Sequence, residues 1–167
     1  MAIVQINIMK SKLTFLLALT FLFLFSGSVY GDEIQDGFDA YKKKDYKEAV
    51  MFFHLSAEQG DALAQLLLGL MYDEGKGAAQ DYVEAVKWYR RSAELGNASA
   101  QNNLGFMYAQ GQGVLKDYVI AHMWFNLSFS NGSKNGLEGR EMIEEKMSPP
   151  QIEKAQELAR NWKPTSK

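Results

Sequence analysis

Gly75-Lys76-Gly77, within the stretch "GLMYDEGKGAAQDY" (residues 69–82), sets a lysine between two glycines and joins two apolar stretches. That composition could cradle a phosphate, because glycine N–H groups approach an anion closely and a lysine neutralises it. The spacing argues against such a site. A P-loop needs four residues between its first glycine and Gly-Lys, then Ser or Thr for the metal. From Gly69 there are five, and Gly77 stands where the hydroxyl should be. In the related stretch Gly111-Gln112-Gly113 the lysine is gone while both glycines remain. Turn geometry needs only the glycines, so the predicted role is a joint between helices.

Other chemistry is as sparse. His54 and His122 sit in neither an H-x-x-x-H nor a Glu-x-x-His spacing, and they are expected to be solvated or half-buried helix residues. Asp45, Asp81 and Asp117 recur at helix starts, where capping accounts for them. The chain has no G-x-S-x-G, no zincin motif and no S-x-x-K. It also has no cysteine, which excludes disulfides, thiolate metal sites, a cysteine nucleophile and a lipoprotein anchor. No catalytic residue, metal site or cofactor is therefore expected. Lys and Arg number 18 against 20 Asp and Glu, for a net charge of −2, and no basic stripe exists to hold nucleic acid.

The N-terminus reads as an export signal. Lys10 and Lys12 precede the uncharged 13-residue run Leu13–Phe25, and "SGSVYG" follows before Asp32. Basic, apolar and small-residue regions in that order make a secretory signal peptide over 1–31, cleaved after Gly31. The rival is an uncleaved membrane anchor, but Leu13–Val29 falls short of the roughly 20 residues a spanning helix needs. Translation starts at Met1 or at Met9. The expected location is periplasmic or secreted, with membrane contact only through this segment if it is retained.

What positions any site is a repeat of 36 residues. Residues 62–97 and 98–133 align without a gap, and 16 of the 36 positions are identical. Shared residues include Gln65/Gln101, Gly69/Gly105, Tyr72/Tyr108, Gly75/Gly111, Asp81/Asp117, Trp88/Trp124 and Gly96/Gly132. Residues 32–61 form a shortened first unit, whose connection to Asp45 is about five residues shorter. Each unit predicts two helices. The first carries a stripe of Ala64, Leu67, Leu68, Met71 and Tyr72. The second carries Tyr82, Ala85, Val86, Tyr89 and Ala93, with Trp88 on its flank. Asp81-x-x-Glu84 and Asp45-x-x-Glu48 are capping-box starts, and Gly60, Gly96 and Gly132 end the second helices. One hairpin cannot bury its apolar face alone, so the units must stack and the ends need caps. Residues 134–167 supply the C-terminal cap: a divergent helix at 137–147, then "SPPQIEKAQELARNW" with Ser148 as N-cap and the stripe Ile152, Ala155, Ala159 and Trp162.

The pattern "AxAQxxLGxMYxxGxGxxxDYxxAxxWxxxSAxxGN" resembles the Sel1-like repeat (SLR) family, a branch of the tetratricopeptide-like solenoids. The resemblance implies an all-α, right-handed α/α superhelix serving as a protein-interaction scaffold, often in the bacterial envelope or in host contact. In that geometry the first helices line the concave face. Their outward positions are Leu63, Leu66, Leu70, Asp73 and Glu74 in one unit, and Ser99, Asn102, Phe106, Ala109 and Gln110 in the next. An apolar groove there suits a peptide or protein partner. Leu63, Leu66 and Phe106 have a second reading, as packing between adjacent repeats. The alternative function is an envelope enzyme or regulator connected with peptidoglycan or β-lactam chemistry.

Overall fold

The computed structural model describes residues 33–164, so the export signal expected over 1–31 lies outside the described residues. Among the described residues there are eight α-helices and no strands. They are α1 (Glu33–Lys42), α2 (Tyr46–Glu58), α3 (Ala62–Glu74), α4 (Tyr82–Glu94), α5 (Ala98–Gln110), α6 (Tyr118–Ser130), α7 (Lys134–Glu144) and α8 (Pro149–Asn161). The odd-numbered members of α1–α6 are the first helices of their hairpins and the even-numbered ones are the second. Each helix packs on its chain neighbour as far as α7, and α8 folds back onto α6.

The chain makes helices here because each end is closed chemically. Asp81 accepts the N–H groups of Val83 and Glu84 at 2.9 and 3.0 Å, and Asp117 does the same for Val119 and Ile120. The expected capping box is only half used at α4, since the Glu84 carboxylate meets Lys87 Nζ instead. The second helices end in Schellman turns, with Gly60, Gly96 and Gly132 at φ near +90°. There the N–H of Asp61, Asn97 and Ser133 bonds back to the carbonyls of Ser56, Ser92 and Ser128. Asp61 and Asn97 then cap the next helix through their own side chains, at 2.8 and 3.0 Å. One residue thus ends one helix and starts the next, which removes any slack between units.

Within a hairpin, an aromatic ring from the second helix lies flat over a glycine of the first. Phe53 covers Gly37, Tyr89 covers Gly69 and Phe125 covers Gly105, and a methyl group at any of these glycines would overlap the ring. All three rings are fully buried. Between hairpins, Trp88 joins Phe53, Ala57, Leu68 and Met71 in one core cluster, while Trp124 joins Leu66, Val86, Leu104 and Met107 in the next. Trp88 was expected on a flank, yet it is 5 % exposed, because adjacent units close over it. Buried hydroxyls tie the two helices within each hairpin: Ser92 Oγ donates to the Ala62 carbonyl at 2.6 Å and Ser128 Oγ to Ala98 at 2.7 Å.

The ends depart from the repeat in informative ways. The α1–α2 connection is Lys43–Asp45, four residues shorter than Gly75–Asp81, where about five was expected. Counting back 32 residues on that basis, Asp36 and Asp39 take the places of Leu68 and Met71. Both acids are exposed, so the outer face of α1 is polar. At the other end, α7 starts at Lys134, three residues before the expected 137. It begins straight after the Gly132 turn, as α3 and α5 do after theirs. Gly139 lies against the Phe125 ring and Gly136 against the α6 backbone, so α7 packs as a first helix despite its divergent sequence. Helix α8 opens as expected, with Ser148 N–H donating to Gln151 Oε1 at 2.8 Å. Its Ala155 and Ala159 are buried, and Trp162 meets Trp124 edge-on at 5.9 Å.

Candidate functional site

The glycine-lysine loop is a joint. Gly75 closes α3 in the left-handed region at φ +69°, and Gly77 presses on the carbonyl of Tyr46 in the preceding hairpin, where no side chain fits. Gly113 repeats that contact on the carbonyl of Tyr82. Lys76 points outward, pairing with Glu74 at 2.6 Å and lying 3.4 Å from the Tyr41 hydroxyl. These two partners push its pKa above the ordinary lysine range.

The outward positions of α3 and α5 divide by burial. Leu63 is 42 % exposed, Glu74, Ser99 and Gln110 are exposed, and Leu70, Asp73 and Phe106 are half-buried. Leu66 and Asn102, however, are each 7 % exposed and Ala109 is buried. Leu66 belongs to the core cluster with Val86 and Leu104, so the packing reading holds for it. Asn102 sits at the same repeat position as Leu66, with Oδ1 buried and unpartnered. Phe106 packs edge-on against Phe125, 4.9 Å between centroids, and keeps part of its surface outward. The outward positions left exposed or half-buried are therefore Leu63, Leu70, Asp73, Glu74, Ser99, Phe106 and Gln110.

Asp73 is the most perturbed acid on this face. The Tyr89 ring crosses α3 over Gly69, and its hydroxyl donates to Asp73 Oδ2 at 3.1 Å. Burial pushes the Asp73 carboxyl above the ordinary aspartate range, and the tyrosine hydrogen bond offsets this only in part. The Tyr89 hydroxyl is itself pushed well above the usual tyrosine range, by burial first and then by Asp73.

The two histidines differ sharply. His54 is exposed, as expected. His122 is 0 % exposed, contrary to the solvated or half-buried reading, because it takes the repeat position of Val86 and faces α7. Its Nε2 lies 2.7 Å from Glu144 Oε1, whose carboxylate also faces the Arg140 guanidinium at 3.7 Å. Among the described residues no cluster of three or more His, Asp or Glu is arranged to hold a metal.

A second surface was missed by sequence reasoning. A cleft between α2 and α4 is lined by His54 and Glu58 on one side and by Glu84, Lys87, Trp88 and Arg91 on the other. The Arg91 guanidinium lies 4.6 Å over the Trp88 ring and bonds Glu58 at 3.0 and 3.3 Å, which holds that carboxyl below its ordinary range. The signal in the sequence is an exchange between copies: Lys87 and Arg91 become Met123 and Leu127 one unit later.

The stacked hairpins, shared caps and glycine joints define a right-handed α/α solenoid of the tetratricopeptide type. The model of the Sel1 repeat matches residues 30–61, 62–97 and 98–133, more than half of the chain, and the protein belongs to that family. Among solved structures it is similar to c5321, a protective antigen present in uropathogenic Escherichia coli strains and displaying an SLR fold. Identity is 32 % and the TM-score 0.75 over 80 % of this chain and 30 % of that one. A Sel1 repeat protein from Oxalobacter formigenes is 27 % identical with a TM-score of 0.56, over 66 % of this chain and 60 % of that one. Helicobacter pylori cysteine rich protein B, 20 % identical, matches in fold with a TM-score of 0.53 over 67 % of this chain and 97 % of that one. This chain thus spans less than a third of the antigen's length and about three fifths of the Oxalobacter protein's. No curated protein matches it.

Proposed function

We propose that the protein is a non-catalytic interaction scaffold of the bacterial envelope or secreted space, binding a peptide or protein across the face of its first helices. Sel1 repeats typically serve protein–protein interaction, and this reading adds a location and a surface. The observation that carries the surface is Leu63, a large apolar side chain 42 % exposed where the next unit has Ser99. The repeat architecture does not need it there, and Leu70 and Phe106 extend apolar surface from the same face. Export rests on the sequence of residues 10–31, and a mature mass beginning at Asp32 tests it.

The partner is sought by crosslinking in the native cell followed by mass spectrometry. Leu63→Glu with Gln110→Lys changes two exposed positions and is expected to leave helicity intact while abolishing capture. Unchanged capture in that variant removes the first-helix face from the proposal. Turnover of a β-lactam or of peptidoglycan by purified protein, abolished by one Asp, Glu or His substitution, would overturn the non-catalytic reading.

A further inference from the structure

Helix α8 covers the outward face of α6, while the repeat-equivalent face of α4 carries no such helix among the described residues. On α6, Met123 and Leu127 are 8 % and 7 % exposed, in a cluster with Ala159 against which Leu158 and Trp162 pack. The Trp162 ring stands edge-on to Trp124. Helix α8 is thus an amphipathic helix with an aromatic anchor, seated on the second helix of the last full unit. Thirty-six residues earlier, Lys87, Trp88 and Arg91 hold the places of Met123, Trp124 and Leu127. There no described helix lies over the face: Lys87 and Arg91 are exposed, and Trp88 lines the cleft between the Arg91 guanidinium at 4.6 Å and the His54 ring at 5.2 Å.

We propose that the α2–α4 cleft docks a helix from a partner protein, one that presents an aromatic side chain to Trp88 and carboxylates to Lys87 and Arg91. The molecule's own α8 shows the kind of element that the equivalent positions of α6 accept. The charge follows from the exchanged residues: where α8 brings small apolar groups to Met123 and Leu127, an occupant here meets Lys87 and Arg91, exposed cations whose partners Glu84 and Glu58 lie in the same cleft. Arg90 adds a third cation to the lining, against the carboxylates of Glu58 and Glu84. The lining therefore carries one net positive charge, in a chain of net charge −2, which favours an acidic occupant. The same two helices expose apolar side chains as well. Met51 and Leu55 on α2 are 52 % and 48 % exposed, and Val83 at the start of α4 is 52 % exposed. The site lies on the second helices, so it is independent of the first-helix face and adds a second docking surface to the scaffold.

The test uses a fluorescein-labelled peptide with the sequence of residues 148–163 carrying Ala155→Glu and Ala159→Glu, titrated with the whole protein and followed by anisotropy. Saturable binding is expected, weakened about tenfold or more by Lys87→Glu with Arg91→Glu and reduced at high salt. The same peptide with Trp162→Ala should bind at least about tenfold more weakly. Both protein substitutions fall on exposed positions, and circular dichroism checks that the fold is retained. In wild-type protein the Trp88 indole N–H resonance should shift on peptide addition. Absence of binding, affinity unchanged in the double variant, or a Trp88 signal that does not move each overturns the proposal. Binding abolished by Leu63→Glu with Gln110→Lys while Lys87→Glu with Arg91→Glu leaves it intact assigns the peptide to the first-helix face and likewise overturns this site.

Discussion

Position 89 carries a hydroxyl that its equivalents, Phe53 and Phe125, lack, and Asp73 stands where the other units have Tyr41 and Ala109. The two differences belong together, because the Tyr89 hydroxyl reaches Asp73 across Gly69. The pair holds a half-buried carboxylate that the fold does not otherwise require. With the folded-state pKa raised, the native state binds a proton more readily than the unfolded chain does. Stability from this group therefore falls as pH rises from the ordinary aspartate value of 3.8 through the raised folded value. Asp73→Asn keeps an acceptor for Tyr89 and removes the ionisation. The variant should be more stable than wild type in urea near neutral pH, and the difference should vanish in acid below 3.8. An advantage that persists at low pH would show that burial of the charge is not its cause.

At the scale of the element, α8 is what closes the apolar row of α6. Without the Trp162 ring, Trp124 loses its edge contact and the cluster around Met123 and Leu127 opens to water. Trp162→Ala should cost about 2 kcal/mol, below the 3–5 of a fully buried tryptophan because this one is half-buried. Hydrogen exchange should quicken first in α6 and α7 and leave α2 and α3 unchanged, since nearest-neighbour contacts dominate such arrays. Uniform loss of protection across all helices would contradict that local coupling. The α8 stripe was legible in the sequence because Ser148, two prolines and an i, i+3, i+4 pattern mark it locally. The start of α7 was not, because its signals are Gly136 and Gly139, whose meaning lies in their contacts with α6. A glycine in isolation reads as a breaker.

The whole molecule is a stack whose neighbours interlock by one rule. That rule predicts that a second copy of residues 62–97, inserted between Asn97 and Ala98, extends the array without disturbing it. Its first glycine joint would rest on Tyr82 as Gly113 does now, and its Gly96 turn would lead into α5 as before. The enlarged protein should unfold in one transition at a higher midpoint, read from a thermal melt by circular dichroism. A lower or split transition would show that the units are not interchangeable.

Repetition also explains what could be read in advance. Alignment of the copies exposed the caps, the joints and the aromatic positions, because each had to be satisfied every time. It could not separate Leu63 from Leu66, residues of one type that differ only in which way the stacked neighbour lies. Nor could it tell that Asn102, polar by type, is drawn inside by its register with Leu66. Trp88 went unrecognised as the floor of a cleft for the same reason: burial there comes from two units meeting.

Gly77 and Gly113 each rest on the main chain of the hairpin before them, with no room for a side chain between. The angle from one unit to the next is thus written in backbone against backbone, which substitutions elsewhere cannot easily reach. Outward positions such as 63, 87 and 110 can be changed without touching that contact, so the spiral keeps its pitch. Rigid spacing and a changeable surface are separate inheritances in this protein, and two glycines keep them apart.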